Sequence, residues 1–128
     1  MYSYQPVPYN QYQIDYHYYY RQQQDVVNRI YSAFRGEHPD LINELETSGM
    51  DGELITYINR SVIQYTLTNA NQYTGTLLNR TNSLYENMLK QIPWLTYLFR
   101  AYRLSANQMR RILRTVIRFT FLQLRNAY

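Results

Sequence analysis

From Ser105 to the end of the chain, apolar residues return at helical spacing, and this stretch limits the possible folds more than any other. At about 100° per residue, Met109, Ile112, Leu113, Val116, Thr120 and Leu124 gather on one side of a helix. Ser105, with Gln108 three positions later, is a capping box that satisfies two backbone N–H groups at the helix start. Arg111, Arg114, Arg118 and Arg125 form a narrow stripe on the other side. Phe121 and Leu122 fall towards that stripe, where a monomer is expected to expose them. A helix this long with one greasy face needs other elements to cover it, and the rest of the chain offers helices rather than strands.

Val26, Val27, Ile30, Tyr31 and Phe34 share one face, with Asp25 placed as an N-cap and Gly36 as a left-handed terminator, which predicts a first helix over residues 25 to 35. Pro39 suits the first turn of a short second helix carrying Leu41, Ile42 and Leu45 and ending near Gly49. Asp51 caps a third, with Leu54, Ile55, Ile58, Val62 and Tyr65 on one side, running to about Gln72. The Thr- and Asn-rich span from Thr66 to Asn82 predicts a break near Gly75. A fourth helix then takes Leu77, Leu78, Leu84, Tyr85, Met88 and Leu89, and Pro93 separates it from a short segment bearing Trp94, Leu95, Tyr97, Leu98 and Phe99. The expected architecture is all-α: a bundle of about five helices over residues 25–128, preceded by an arm over residues 1–24.

The chemistry is constrained mostly by what is missing. With no Cys among 128 residues, disulfides, thiolate zinc sites and thiol nucleophiles are excluded. The four glycines, at 36, 49, 52 and 75, form no phosphate-cradling loop. His17 and His38 have no spacing to acids that suggests a metal, and both read as ordinary surface histidines. Glu44, Glu46, Asp51 and Glu53 cluster about a turn without the alternation of a calcium loop. The Asn59-Arg60-Ser61 and Asn79-Arg80-Thr81 sequons fall inside predicted helices. No catalytic residue, cofactor or metal is expected. Residues 1–10 lack a basic and apolar leader, and no run approaches the roughly 20 apolar residues of a membrane span, so cytoplasmic synthesis without a signal peptide is expected.

Charge is divided along the chain. Residues 1–86 hold five Arg against nine Asp and Glu, a net −4, whereas residues 87–128 hold Lys90 and seven Arg with no acid, a net +8. Eight cations repelling one another favour an anionic partner. The Arg stripe admits three readings: a solvated outer face, a dock for an acidic protein surface, or a seat for nucleic acid or an anionic membrane. Twelve Arg to one Lys leans towards the paired geometry of guanidinium and carboxylate.

The arm has its own composition, with eight Tyr and six Gln in residues 1–24 and Tyr16, Tyr18, Tyr19 and Tyr20 bunched ahead of Arg21. Its two readings are an extension without a task and a sticker, since Tyr rings stack, lie under Arg and donate hydrogen bonds at interfaces. Tyr residues can also couple oxidatively, and Gln can donate acyl groups to amide cross-links. The run Met1-Tyr2-Ser3-Tyr4-Gln5-Pro6-Val7-Pro8-Tyr9, with Tyr18-Tyr19-Tyr20-Arg21-Gln22, resembles small Tyr- and Gln-rich spore coat proteins of Bacillus-type bacteria. The likeness is compositional and covers about the first fifth of the chain. It implies deposition on the spore during sporulation and cross-linking through Tyr and Gln. The expectation is a non-enzymatic structural protein that self-associates, as a homo-oligomer, or docks on other structural proteins. Its interaction residues are Tyr16, Tyr18, Tyr19, Tyr20, Arg111, Arg114, Arg118, Phe121, Leu122 and Arg125. The alternative is an Arg-rich helical adaptor for nucleic acid, bound weakly and without sequence preference, or for an anionic membrane.

Overall fold

Helix starts in this chain are set by side chains that reach back to the backbone. A computed structural model describes the backbone of residues 7–127 and the side chains of residues 21–125. Asp51 accepts a hydrogen bond from the Leu54 N–H at 2.8 Å and opens α3, Gly52–Asn69. Thr76 does the same for Asn79 at 3.1 Å and opens α4, Leu77–Gln91. Ser105 and Gln108 form the reciprocal capping box, with the Ser105 N–H donating to Gln108 Oε1 at 2.8 Å and the Gln108 N–H donating to Ser105 Oγ at 3.0 Å. That box opens α6, Ala106–Ala127. Prolines set the rest: Pro39 begins α2, Pro39–Thr47, and Pro93 stands ahead of α5, Trp94–Ala101. The glycines at 49 and 75 sit at φ +108° and +100°, in the left-handed region that terminates helices cheaply only for Gly.

The architecture is all-helical among the described residues, with six α-helices and a 3₁₀ turn, Ala70–Gln72, where about five helices were expected. The first helix departs most from expectation. α1 runs Val7–Glu37, so Asp25 lies inside it instead of capping it, and Gly36 is helical. No Gly or Pro interrupts the chain between Tyr9 and Arg35, and Tyr, Gln and Arg all tolerate helical φ and ψ, so nothing local stops the helix. His38 stops it: a residue before proline is driven out of the α region, and His38 stands at φ −128°, ψ 54°.

α6 is the centre of the bundle. It packs chiefly against α3 and α4, with α1 and α5 closing further sides, while α2 lies against α1 and α3. Its expected apolar face is buried from Met109 through Thr120, but Ile117, Phe119 and Phe121 are buried as well. The Phe119 ring meets the edge of Phe34, centroids 5.5 Å apart, and His38 stacks on Phe34 at 4.9 Å. His38 is therefore a half-buried aromatic packing residue rather than a surface histidine. Leu45, Ile58, Val62, Leu84, Met88, Leu95 and Phe99 complete a single core drawn from every other helix.

Candidate functional site

Phe121 and Leu122 do not form an exposed apolar patch. Phe121 is 3% exposed, and the Arg80 guanidinium lies over its ring at 4.8 Å; Leu122 is half-buried. A helical wheel assumes one buried side and one wet side. α6 has neighbours on several sides, so its second face is covered over the last turns too. Asn59, of one sequon, is buried and donates to the Ile55 carbonyl at 2.8 Å.

The Arg stripe divides at the same point. Arg125 lines a crevice with Arg80 and Phe121, away from the other three. Arg111, Arg114 and Arg118, joined by Arg110, line a groove of about 590 Å³ between α6 and α4, whose opposite wall is Leu77, Leu78 and Thr81. From Arg111 to Arg118 the stripe extends about 10 Å at the rise of an α-helix. No acid lines this groove. Leu78 stands at its rim, 59% exposed.

At the edge of the groove, Arg111 Nη2 donates to Glu44 Oε2 at 2.7 Å, and Gln108 Nε2 donates to the same oxygen at 3.2 Å. The Arg111 hydrogen bond, helped by Gln108 and by the charge of Arg111, holds the Glu44 carboxyl below its ordinary value against a smaller opposing effect of burial. Arg111 is raised in turn, mainly by the same bond. This is the only ion pair among the described side chains, which include eight acids and thirteen Lys and Arg. Other guanidiniums lie over rings: Arg110 over Tyr85 at 6.0 Å and Arg35 over Tyr31 at 5.6 Å. Desolvation pushes the Tyr85 hydroxyl above its ordinary value, opposed by Arg110 and Arg114.

Two buried donors at the groove have no partner. Thr81 is 2% exposed, and neither its Oγ1 nor the Nε of Arg114 makes a hydrogen bond among the described residues. Other helical threonines settle their hydroxyls on their own helix: Thr66 on the Val62 carbonyl at 2.9 Å, Thr115 on that of Arg111 at 2.7 Å and Thr120 on that of Val116 at 2.9 Å. The contribution of α4 to the groove was not foreseen. Its residues lie some thirty positions from the Arg stripe, and only the buried polar character of Thr81 within an apolar helix face hints at it.

A second exposed patch is aromatic. Trp94 stacks on Tyr57, centroids 5.6 Å apart and planes 29° apart, and Tyr97 is 67% exposed, while Leu95 and Phe99 of the same helix turn inward. The side chains of Tyr16, Tyr18, Tyr19 and Tyr20 lie outside the described residues, though their backbone belongs to α1. Gln24, expected to belong to the arm, is bonded to α3: Arg60 Nη2 donates to Gln24 Oε1 at 2.7 Å, and Gln24 Nε2 donates to Gln64 Oε1 at 3.4 Å. No helix among the described residues is long and apolar enough to cross a membrane. No family model matches this chain, and no curated protein or solved structure does.

Proposed function

We propose that this protein is a non-enzymatic assembly subunit, which associates with copies of itself or with other structural proteins through surfaces of opposite charge. One observation carries the reading: eight acids and thirteen cations share the described surface, yet a single pair of them meets within the chain. Acids and bases that do not neutralise one another internally, and that divide −4 and +8 along the chain, are arranged to meet across an interface. The exposed Tyr57, Trp94 and Tyr97 add the residue types that interfaces favour. The spore coat setting, with Tyr and Gln cross-linking, rests on the composition of residues 1–24.

Sedimentation at rising protein concentration, in low and high salt, tests this with the full chain and with a chain lacking residues 1–20. Association that weakens with salt, and weakens again without residues 1–20 of the arm while the melting curve stays unchanged, is the expected result. A strict monomer at high concentration and low salt refutes it. The alternative of nucleic acid or an anionic membrane as partner draws on the same groove, because four guanidiniums with no acid between them also suit phosphates. Nucleic acid is expected to bind weakly and to leave as salt rises.

A further inference from the structure

We propose that the groove between α4 and α6 is a carboxylate seat, filled in the assembly by the acidic α2–α3 corner of a second copy of this chain. The proposal rests on the assembly reading above and names its two surfaces. The groove's lining is rich in donors and has no acid, and two of those donors are buried without an acceptor. A hydroxyl and a guanidinium N–H withdrawn from water are normally paired, and their shared requirement is an oxygen lone pair. Thr81 could have turned its hydroxyl onto its own helix, as Thr66, Thr115 and Thr120 do, and has not. An oxyanion entering the groove supplies what both lack once the two side chains turn towards it.

A carboxylate suits the site better than a phosphate chain. Arg111, on the edge of the groove, already holds the Glu44 carboxylate with Gln108 beside it, so the stripe displays the coordination its remaining members would repeat. The exposed Leu78 on the rim gives an apolar contact, which a protein surface can use and a sugar–phosphate backbone cannot.

The chain itself carries the matching surface. Where α2 turns into α3 around Gly49, Glu46, Asp51 and Glu53 are all exposed. Asp51 spends one oxygen capping α3, whereas Glu46 and Glu53 make no ion pair among the described residues. The corner's three acids outnumber Arg35 and Arg60, which line the same surface hollow, so its net charge is opposite to that of the acid-free groove. Because corner and groove are different surfaces, a contact between two copies either closes when it is returned or continues into a chain of subunits.

Charge exchange on the full-length protein tests this by sedimentation velocity in low salt. One variant reverses the groove, Arg114→Glu with Arg118→Glu; the other reverses the corner, Glu46→Arg with Glu53→Arg. Each alone is expected to associate at least tenfold more weakly than the parent. Their equimolar mixture is expected to recover association, because both cross-contacts are again of opposite sign. Thr81→Val, which removes the hydroxyl and keeps the shape, is expected to weaken association while circular dichroism shows an intact fold. A parent that associates and variants that associate equally well overturn the groove and leave the assembly reading standing. A monomeric parent overturns both. The groove would instead belong to phosphates if a labelled 20-base-pair duplex bound the parent tightly at physiological salt and lost that binding only in the groove variant.

Discussion

Replacing Thr81 by valine should make the isolated subunit more stable, and the sign of that change is the sharpest check on the groove. The Thr81 hydroxyl is withdrawn from water and has no partner, so the fold carries the desolvation of a polar group without return. Buried unsatisfied groups of this kind cost about 1–3 kcal/mol, and valine removes the group at nearly constant volume. For a chain of 128 residues each kcal/mol moves the melting temperature by about 4 °C, so a rise of about 4–12 °C is expected. Thr120→Val is the matched control. Thr120 is equally buried but donates to the Val116 carbonyl at 2.9 Å, so its loss should cost about 0.5–1.5 kcal/mol and lower the melting temperature. Calorimetry in high salt, where charge-driven association is suppressed, isolates the subunit. If Thr81→Val melts below the parent, its hydroxyl has a partner in the folded chain and the argument for an unfilled acceptor fails. A variant that is both more stable and less associating would separate folding from docking in one residue.

Two further outcomes follow from the structure. Glu44→Gln should remove a pH-dependent part of stability: the folded carboxyl is lowered by Arg111, so its contribution is present above the ordinary glutamate value and is lost as pH falls through the lowered one. With Arg111 53% exposed the pair is worth less than about 1 kcal/mol, and melting curves of parent and variant that differ near neutrality and converge in acid are the expected reading; a gap that persists in acid assigns it to packing instead. Phe121→Ala should cost about 3–5 kcal/mol in urea unfolding of the monomer, because the ring is buried beneath Arg80; a cost near zero would return Phe121 to the surface.

Much of the fold was legible because its boundaries are local. Asp51, Pro39, Pro93 and the Ser105–Gln108 box each act within one helical turn, so a reading of neighbours finds them. The start of α1 was not, because Tyr and Gln carry no apolar period even where the backbone is helical. Phe121 was misplaced for a different reason. Periodicity tells which residues share a side of α6, but how many sides α6 covers depends on α1, α3, α4 and α5 arriving around it. The groove falls between these cases: Arg111, Arg114 and Arg118 were readable as a stripe, whereas Arg110, Leu77, Leu78 and Thr81 join them, and Arg125 leaves them, only through tertiary packing.

The distribution of guanidiniums explains why association should run through one stretch of α6 and not along its whole length. Arg80 lies over Phe121 and Arg110 over Tyr85, positions that bury their stems and give the positive charge a ring face. Arg111 has Glu44. Arg114 and Arg118 make neither an ion pair nor a cation–π contact among the described residues, although Arg114 acts on the charge of the Tyr85 hydroxyl. Repulsion along the stripe is therefore least relieved over these two residues, one helical turn apart on the wall facing Thr81 and Leu78. An acidic partner gains most by binding there, where its carboxylates relieve repulsion and fill the vacant acceptor role together. The same partner placed over Arg80 or Arg110 would have to compete with rings already in contact, which makes the middle of α6 the selective surface of the bundle.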